Sequence, residues 1–293
     1  NQASQNDPAS IASNALGRHL VHYPADDPRS AYSLPEWQEA AKAATLERMA
    51  AFYRAHAGAS DAELAIVGPV DTTQVTEKLR AAFDDWRSAQ SYVRIANPLQ
   101  PVNAARIVLD MPEKSNAVYT ALVPLALDDA DADVPALFTA VQLLGGRAGT
   151  RLWNRLREQE GLSYSVQSSM RVGMRDKNGR IGITGSFAPQ NRERFEVALR
   201  DELDKVLKEG FSALEVSFAK DAILRNRRQF ITHERNVAGM LADNLYWGKT
   251  MERREQRDKQ YAELTTEQVN AALRKYLDPD KFSAAMAGDF EKK

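Results

Sequence analysis

The chain has 293 residues, of which 43% are hydrophobic, and this length and content suit two domains with ordinary cores. Its 39 Lys and Arg side chains balance 40 Asp and Glu side chains to a net charge of -1, which excludes the broad basic surface of a nucleic-acid or anionic-membrane binder. The sequence has no cysteine, which excludes disulfides and thiolate chemistry, and no apolar stretch of the roughly 18 residues that a transmembrane helix needs.

The first third of the sequence predicts helices separated by polar loops. A short helix is expected around residues 11–20, and a capping box at Ser33–Glu36 begins another. A helical stripe of apolar residues runs over 46–53, and residues 63–67 are predicted to form a buried strand before Gly68. The polar, proline-containing span from 88 to 103 is then predicted to be a linker.

Beyond that linker, strands come first and helices follow. Apolar, alternating runs at 107–111 and 118–125 predict strands, and Asp133 with Pro135 marks the start of a helix. A later strand around 181–183 precedes a long helix that ends at Gly210. This order predicts an α+β fold, in which helices cover one face of a mainly antiparallel sheet.

The most informative stretch runs from Gly145 to Val166 and predicts a glycine-rich turn, a short helix and a strand. Gly161 lies where a left-handed helix end is expected, and alternation places Tyr164 on the same strand face as Val166. The hinge brings Arg157, in the last helical turn, close to Tyr164. A guanidinium beside a phenol suits recognition of a peptide carbonyl or carboxylate.

This stretch resembles the second, non-zinc half of the M16 (pitrilysin or insulinase-like) metallopeptidases, whose pattern is roughly G-G-x-x-x-S/T-R-L-x-x-x-L/V-R-E-x-x-G-L-A/S-Y. The chain matches it with Gly145, Gly146, Thr150, Arg151, Leu152, Leu156, Arg157, Glu158, Gly161, Leu162, Ser163 and Tyr164. The resemblance implies that Arg157 and Tyr164 reach into the active site and hold substrate. The alternative is that Arg157 only neutralises Glu158 or Glu160 on a solvated face.

A weak internal repeat supports two related modules. Residues 45–51 align without gaps on 265–271, and 64–68 align on 284–288, at an offset of 220 residues. The sequence is therefore predicted to contain one partial module, residues 1–95, and one nearly complete module, residues 96–293. The missing upstream part would make the chain a C-terminal fragment of a longer protein.

Zinc in this family is bound by an H-x-x-E-H motif, and the four histidines of the chain provide no pair with that spacing. His233-Glu234 begins like H-E-x-x-H, but the fifth position is Val237. His19 and His22 could share a metal, although no third ligand is evident. We therefore expect no metal site in this chain, and zinc bound by a missing upstream half.

Other clusters have ordinary explanations beside functional ones. The basic cluster Arg225, Arg227, Arg228 and Arg235 is interpreted as a solvated helix face rather than a patch for an acidic partner. Trp153, Tyr246 and Trp247 are interpreted as core or rim aromatics rather than ligand platforms.

The resemblance implies that this chain is the non-catalytic C-terminal part of a zinc-dependent endopeptidase. It would wall a chamber and orient a peptide or small protein for an upstream zinc-bearing half or subunit, and it would be inactive alone. The alternative function is a non-peptidase scaffold or partner subunit of the same fold. A periplasmic location is suggested only by analogy with bacterial relatives.

Overall fold

The computed structural model describes residues 6–291, and contacts between residues divide the chain into two compact units. The first unit combines residues 1–38, 97–221 and 263–293, of which 1–5 and 292–293 lie outside the described residues. The second unit combines residues 39–96 and 222–262. Each unit is thus built from stretches that are distant in the sequence.

The described part of the first unit contains a five-stranded sheet with the strand order β1-β5-β2-β4-β3. Its strands are β1 (Arg106–Asp110), β2 (Ala117–Leu125), β3 (Ser163–Arg171), β4 (Gly179–Phe187) and β5 (Ser283–Gly288). The β1–β5 pair is parallel, and the other neighbouring pairs are antiparallel. The predicted α+β fold with a mainly antiparallel sheet is confirmed.

The main core lies between the sheet and a layer of helices. These helices are α5 (Val134–Gly145), α7 (Arg192–Glu209), α8 (Ala213–Phe230, which continues into the second unit) and α11 (Thr266–Tyr276). Phe187 and Phe195 stack at 4.5 Å between ring centroids, and a Cβ built at Gly185 would lie 2.7 Å from the Phe195 ring. Glycine is required there because the helix packs so closely on the strand.

A further helix, α1 (Pro8–Leu20), covers the other face of part of the sheet. Ala12 and Leu16 are buried against Ala285 and Ala287 of β5. The sequence predicted this helix, but it did not predict its place. Helices on one face are therefore an incomplete description, because β5 is buried on both of its faces.

The second unit is helical. It contains the end of α2 (Leu34–Lys42), then α3 (Leu46–His56), α4 (Thr72–Phe83), the end of α8, α9 (Glu234–Trp247) and α10 (Glu252–Glu263). The buried strand predicted at 63–67 is wrong: Leu64 and Ile66 are exposed, and the segment has no regular secondary structure. A strand needs a hydrogen-bonded neighbour, and no strand among residues 6–291 pairs with this segment.

The boundaries of the two compact units do not coincide with a division of the sequence near residue 95. Residues 8–20 pack on the sheet, although the segment 1–95 was expected to form a separate module. The predicted linker, 88–103, does lack helix and strand. The assignment of 1–95 and 96–293 to two family modules stays a prediction. Within the described range, no helix is long and apolar enough to cross a membrane.

Candidate functional site

The helix that precedes β3 is irregular. A short α6 (Arg151–Trp153) continues directly into a π-helical turn, Asn154–Gln159. Leu152 and Leu156 are fully buried and anchor the two parts to the core. Single π-helical turns are rare and occur frequently at functional sites. Arg157 lies within this π-helical turn.

The helix ends as the sequence predicted, at a left-handed glycine. Gly161 has φ of 61°, which a residue with a Cβ rarely adopts. Its N–H donates to the Arg157 carbonyl at 3.2 Å, and the Leu162 N–H donates to the Leu156 carbonyl at 2.8 Å. These bonds satisfy carbonyls at the helix end and direct the chain into β3.

A β-bulge at the start of β3 places Tyr164. In the strand register Ser163 faces Phe187 and Ser165 faces Ser186, so Tyr164 has no partner across the strands. The Ser163 hydroxyl is buried and lies within hydrogen-bond distance of two carbonyls, those of Ser165 at 2.7 Å and Ser186 at 2.9 Å, which share its single proton. These contacts stabilise the bulge, a device that often re-aims a side chain next to an active site.

The bulge corrects one sequence prediction. Simple alternation placed Tyr164 on the same face as Val166, but Val166 is buried whereas Tyr164 is 61% exposed. One extra residue shifts the alternation by one position, so the phenol lies outside the core. The Tyr164 hydroxyl has no hydrogen-bond partner among residues 6–291, and it is accessible to a ligand.

Two contacts fix the Arg157 side chain, one with the backbone of Tyr164 and one with the ring of Trp153. Its Nη1 donates to the Tyr164 carbonyl at 2.8 Å, and its guanidinium carbon lies 4.3 Å from the Trp153 ring centroid. The Trp153 Nε1 donates to the Glu158 carboxylate at 2.9 Å, which fixes the indole. Arg157 remains exposed and keeps further N–H donors for a ligand.

The alternative explanation for Arg157, neutralisation of a neighbouring carboxylate, does not describe this geometry. Glu158 accepts from Trp153, and Glu160 forms its ion pair with Arg155. Trp153 is partly buried against the core, as predicted for a rim aromatic, and it also supports the Arg157 guanidinium. The structure thus brings Arg157 and Tyr164 together, while their role in binding substrate stays a prediction.

Sequence reasoning missed the residues that fix this junction. Arg151 forms two hydrogen bonds with the Glu215 carboxylate, at 2.7 and 2.9 Å, which tie α6 to the start of α8. Burial raises the pKa of Glu215, but hydrogen bonds from Ser212 and Arg151 lower it overall. Ser212 and Glu215 form a capping box at the start of α8, whereas Arg151 reaches Glu215 through a long-range contact that leaves no local signal in the sequence.

The histidine pair does not assemble a metal site in the described chain. The rings of His19 and His22 lie 6.5 Å apart, and His19 Nε2 is within hydrogen-bond distance of the Asn103 carbonyl and the Ser283 hydroxyl. Across residues 6–291 no three His, Cys, Asp or Glu side chains lie close enough to hold a metal. The described residues therefore do not provide a zinc ligand set.

The basic cluster and the remaining aromatics belong to the second unit. Arg227 pairs with Asp258 and lies over the Tyr261 ring, whereas Arg225 and Arg228 are exposed. The Tyr246 hydroxyl is hydrogen-bonded to that of Tyr92. The exposure of Arg225 and Arg228 fits the interpretation of a solvated helix face, whereas Arg227 is partly buried in contacts within the unit.

Residues 43–223 match the family model described as "Peptidase M16 inactive domain". Because this match covers more than half of the chain, the chain belongs to the M16 peptidase family and carries its inactive, C-terminal domain. The resemblance seen in the Gly145–Tyr164 motif is confirmed.

Individual relatives agree with this assignment. An uncharacterized zinc protease of Streptomyces coelicolor is 31% identical over 183 residues, which are 60% of this chain but only 39% of that relative. The fold is similar to that of a peptidase M16 inactive domain from Pseudomonas fluorescens, with a TM-score of 0.77 and 23% identity over 98% of this chain and 66% of that one. It is also similar to a Helicobacter pylori protease, with a TM-score of 0.79 and 14% identity over 97% of this chain and 68% of that one.

Proposed function

We propose that this chain is the substrate-orienting, non-catalytic half of a zinc-dependent endopeptidase, and that Arg157 and Tyr164 bind the extended peptide. The observation that supports it is local. A π-helical turn and a β-bulge lie within eleven residues, and they leave the side chains of Arg157 and Tyr164 both exposed, with the Arg157 guanidinium bonded to the Tyr164 backbone carbonyl. Irregular backbone of this kind concentrates at functional sites.

In this proposal Arg157 and Tyr164 both donate hydrogen bonds that orient the peptide. The Arg157 guanidinium donates charge-assisted hydrogen bonds to a peptide carbonyl or carboxylate, and its contact with Trp153 limits its rotamers. The Tyr164 hydroxyl donates to the same stretch of peptide backbone. Holding the substrate in one geometry lowers the barrier by removing its freedom to reorient.

The zinc of the complete enzyme would belong to an upstream half, because the described residues provide no ligand set for it. When bound there, zinc would supply the activated water of a metallopeptidase. This chain's own residues would bind and orient the peptide.

The second unit supports docking of such a partner half. The α3 residues Met49, Phe52 and Tyr53 are exposed, and α3 lines an apolar cleft of about 880 Å³ together with Ala40 and Ala44. Contiguous apolar surface of this kind marks interaction sites. We propose that the zinc-bearing half covers it.

The test uses the protein that carries both halves. Arg157→Ala removes a charged donor worth about 1.5–3 kcal/mol, so kcat/KM is expected to fall roughly ten- to a hundredfold. Tyr164→Phe keeps the ring and removes only an exposed hydroxyl, so activity should fall while the melting temperature stays the same. Arg147→Ala is the matched control, because Arg147 is an exposed arginine in the preceding turn.

If both variants keep full activity, or if Tyr164→Phe mainly lowers the melting temperature, the pair is structural. A complete protein that cleaves no peptide at all would instead favour the scaffold function.

A further inference from the structure

The face of β3 and β4 that lies opposite the core is polar and exposed. Alternation from Val166 and Ile183, which are buried, places Gln167, Ser169 and Arg171 of β3 on this open face. The strand register sets Arg171 directly opposite Arg180 of β4. Side chains in such positions have Cβ atoms about 4.5–5.5 Å apart, and like charges there destabilise the sheet.

Neither arginine has a carboxylate partner among residues 6–291. Other cations of the first unit do, since Arg106 pairs with Glu196 at 2.6 Å and Arg200 with Asp280 at 2.6 Å. The pKa of the Arg180 guanidinium is lowered by its partial burial and further by the charge of Arg171. The fold therefore maintains two adjacent cations that repel each other and that no described acidic group neutralises.

Arg180 also lines a small pocket next to α1. The pocket has a volume of about 110 Å³ and is bordered by Leu20, Tyr23, Leu122 and Asn178. This is far above the roughly 10–15 Å³ that a single water needs, so a carboxyl group has room beside the Arg180 side chain. Its wall is part aliphatic and part polar, which suits a carboxylate on a short hydrocarbon stem.

We propose that Arg171 and Arg180 form a binding site for a carboxylate of a peptide, either an acidic side chain or the C-terminus. The identity of the ligand as a peptide rests on the proposed function, whereas the binding of a carboxylate does not. Tyr164 and Arg171 mark the two ends of the exposed side of β3, and seven residues of strand span roughly 23 Å. The site would therefore favour an anionic group several residues away from the backbone held by Arg157.

The first experiment measures binding to the purified chain by fluorescence anisotropy with four labelled peptides. Two peptides differ only by Glu against Gln at one position, and two differ only by a free against an amidated C-terminus. We expect the preferred carboxylate peptide to bind at least tenfold more tightly than its neutral partner, with a preference that weakens at high salt. The pair that shows the preference identifies the source of the carboxylate.

Variants then assign the preference to the two arginines. Arg171→Gln and Arg180→Gln should each reduce the affinity preference for the carboxylate peptide to less than threefold. Arg225→Gln, which removes an exposed arginine elsewhere, should leave this preference unchanged. Because each variant at the pair relieves like-charge repulsion, its melting temperature should equal or exceed that of the wild type. Arg171→Glu should raise the melting temperature further and abolish the preference, since it places a carboxylate opposite Arg180.

A further NMR experiment separates this inference from the proposed function. N-acetyl-glutamate is titrated into the protein, and N-acetyl-glutamine, which has no side-chain carboxylate, is titrated for comparison. If no peptide binds but N-acetyl-glutamate shifts resonances of the wild type and not of Arg180→Gln, the carboxylate site stands and the peptide-orienting function fails. If the wild type does not distinguish N-acetyl-glutamate from N-acetyl-glutamine, the inference is wrong. A carboxylate preference that survives in both Gln variants also overturns it.

Discussion

Two helices 220 residues apart have the same length and the same kind of start, yet their surroundings differ. The helix α3 spans Leu46–His56, and α11 spans Thr266–Tyr276. Each begins after a threonine whose side chain accepts a hydrogen bond from the third residue that follows, Arg48 in one case and Gln268 in the other. The helix bounds agree with the offset of the internal repeat.

The buried faces of the two helices do not agree. In α11 the side chains of Val269 and Leu273 are 0% and 1% exposed, because they pack against the main core. The aligned residues of α3, Met49 and Tyr53, are 62% and 59% exposed. The strand that follows α11 is β5, which lies between β1 and β2, whereas the aligned residues 63–68 form no strand.

The comparison separates two kinds of cause. Caps and apolar periodicity are local, and they specify a helix of the same extent in both copies. Burial and strand formation require a partner surface, and only the second copy has one within the described chain. The proposed docking of the zinc-bearing half would supply that surface to the first copy.

The largest expected effect tests this difference in burial. Leu273→Ala should lower the free energy of unfolding by about 2–5 kcal/mol, because it opens a cavity in the core. Tyr53→Ala, at the aligned position, should change it by no more than about 0.5 kcal/mol in the isolated chain. Urea denaturation measures both variants. Equal losses would show that α3 is packed as firmly as α11.

The second-largest expected effect is on binding of the zinc-bearing half to α3. Phe52→Glu places a charge on the exposed apolar face of α3. Binding of the zinc-bearing half, which is supplied as a separate polypeptide, should therefore weaken about thirtyfold or more. The melting temperature of the isolated chain should not change. Arg54→Glu is the control, because two residues along a helix turn the side chain to the other side. Equal binding by Phe52→Glu and wild type would exclude this face as the docking surface.

A smaller effect tests what the two copies share. Thr265→Ala and Thr45→Ala each remove a helix cap, and each should destabilise its own helix by about 1 kcal/mol. Hydrogen exchange of the first helical turn measures the effect in either copy. A cap that matters only in α11 would mean that tertiary packing, and not the local signal, holds the end of the helix.

The sequence predicted most of the features that depend on local signals. The capping box at Ser33, the left-handed Gly161 and the strands expected at 107–111, 118–125 and around 181–183 are present where expected. The strand predicted at 63–67 is wrong because an apolar run does not form a strand without a pairing neighbour, and none is present in the described chain. The position of α1 on β5 also had no local signal, since the two elements are more than 260 residues apart.

In the candidate site, too, the sequence predicted the features with local signals and not those that depend on contacts between distant strands. Arg157 and Tyr164 were found through their spacing and their resemblance to the family motif, and the structure places them in contact. The exposure of Tyr164 depends on the bulge that Ser163 stabilises, and strict alternation cannot indicate a bulge. The Arg171–Arg180 pair depends on the register of two strands, which sequence periodicity alone does not fix.

The smallest effect concerns the end of α11, where the second copy gains contacts that the first lacks. Lys275 and Tyr276 both donate to the Asp133 carboxylate at 2.7 Å, whereas the aligned residues of α3 are Ala55 and His56. These hydrogen bonds lower the pKa of Asp133 below its ordinary value of 3.8. The folded state therefore gains stability from the ionised carboxyl group above that value, and it loses this stability as the pH falls through the lowered pKa.

Because the Lys275 side chain is 62% exposed, solvent screens the pair, and Asp133→Asn should destabilise less than the loss of the Thr265 cap. Urea denaturation at several pH values should show a difference between wild type and Asp133→Asn at pH 7 that shrinks in acid and in high salt. A difference that persists unchanged at low pH would assign the role of Asp133 to packing at the start of α5 rather than to its charge.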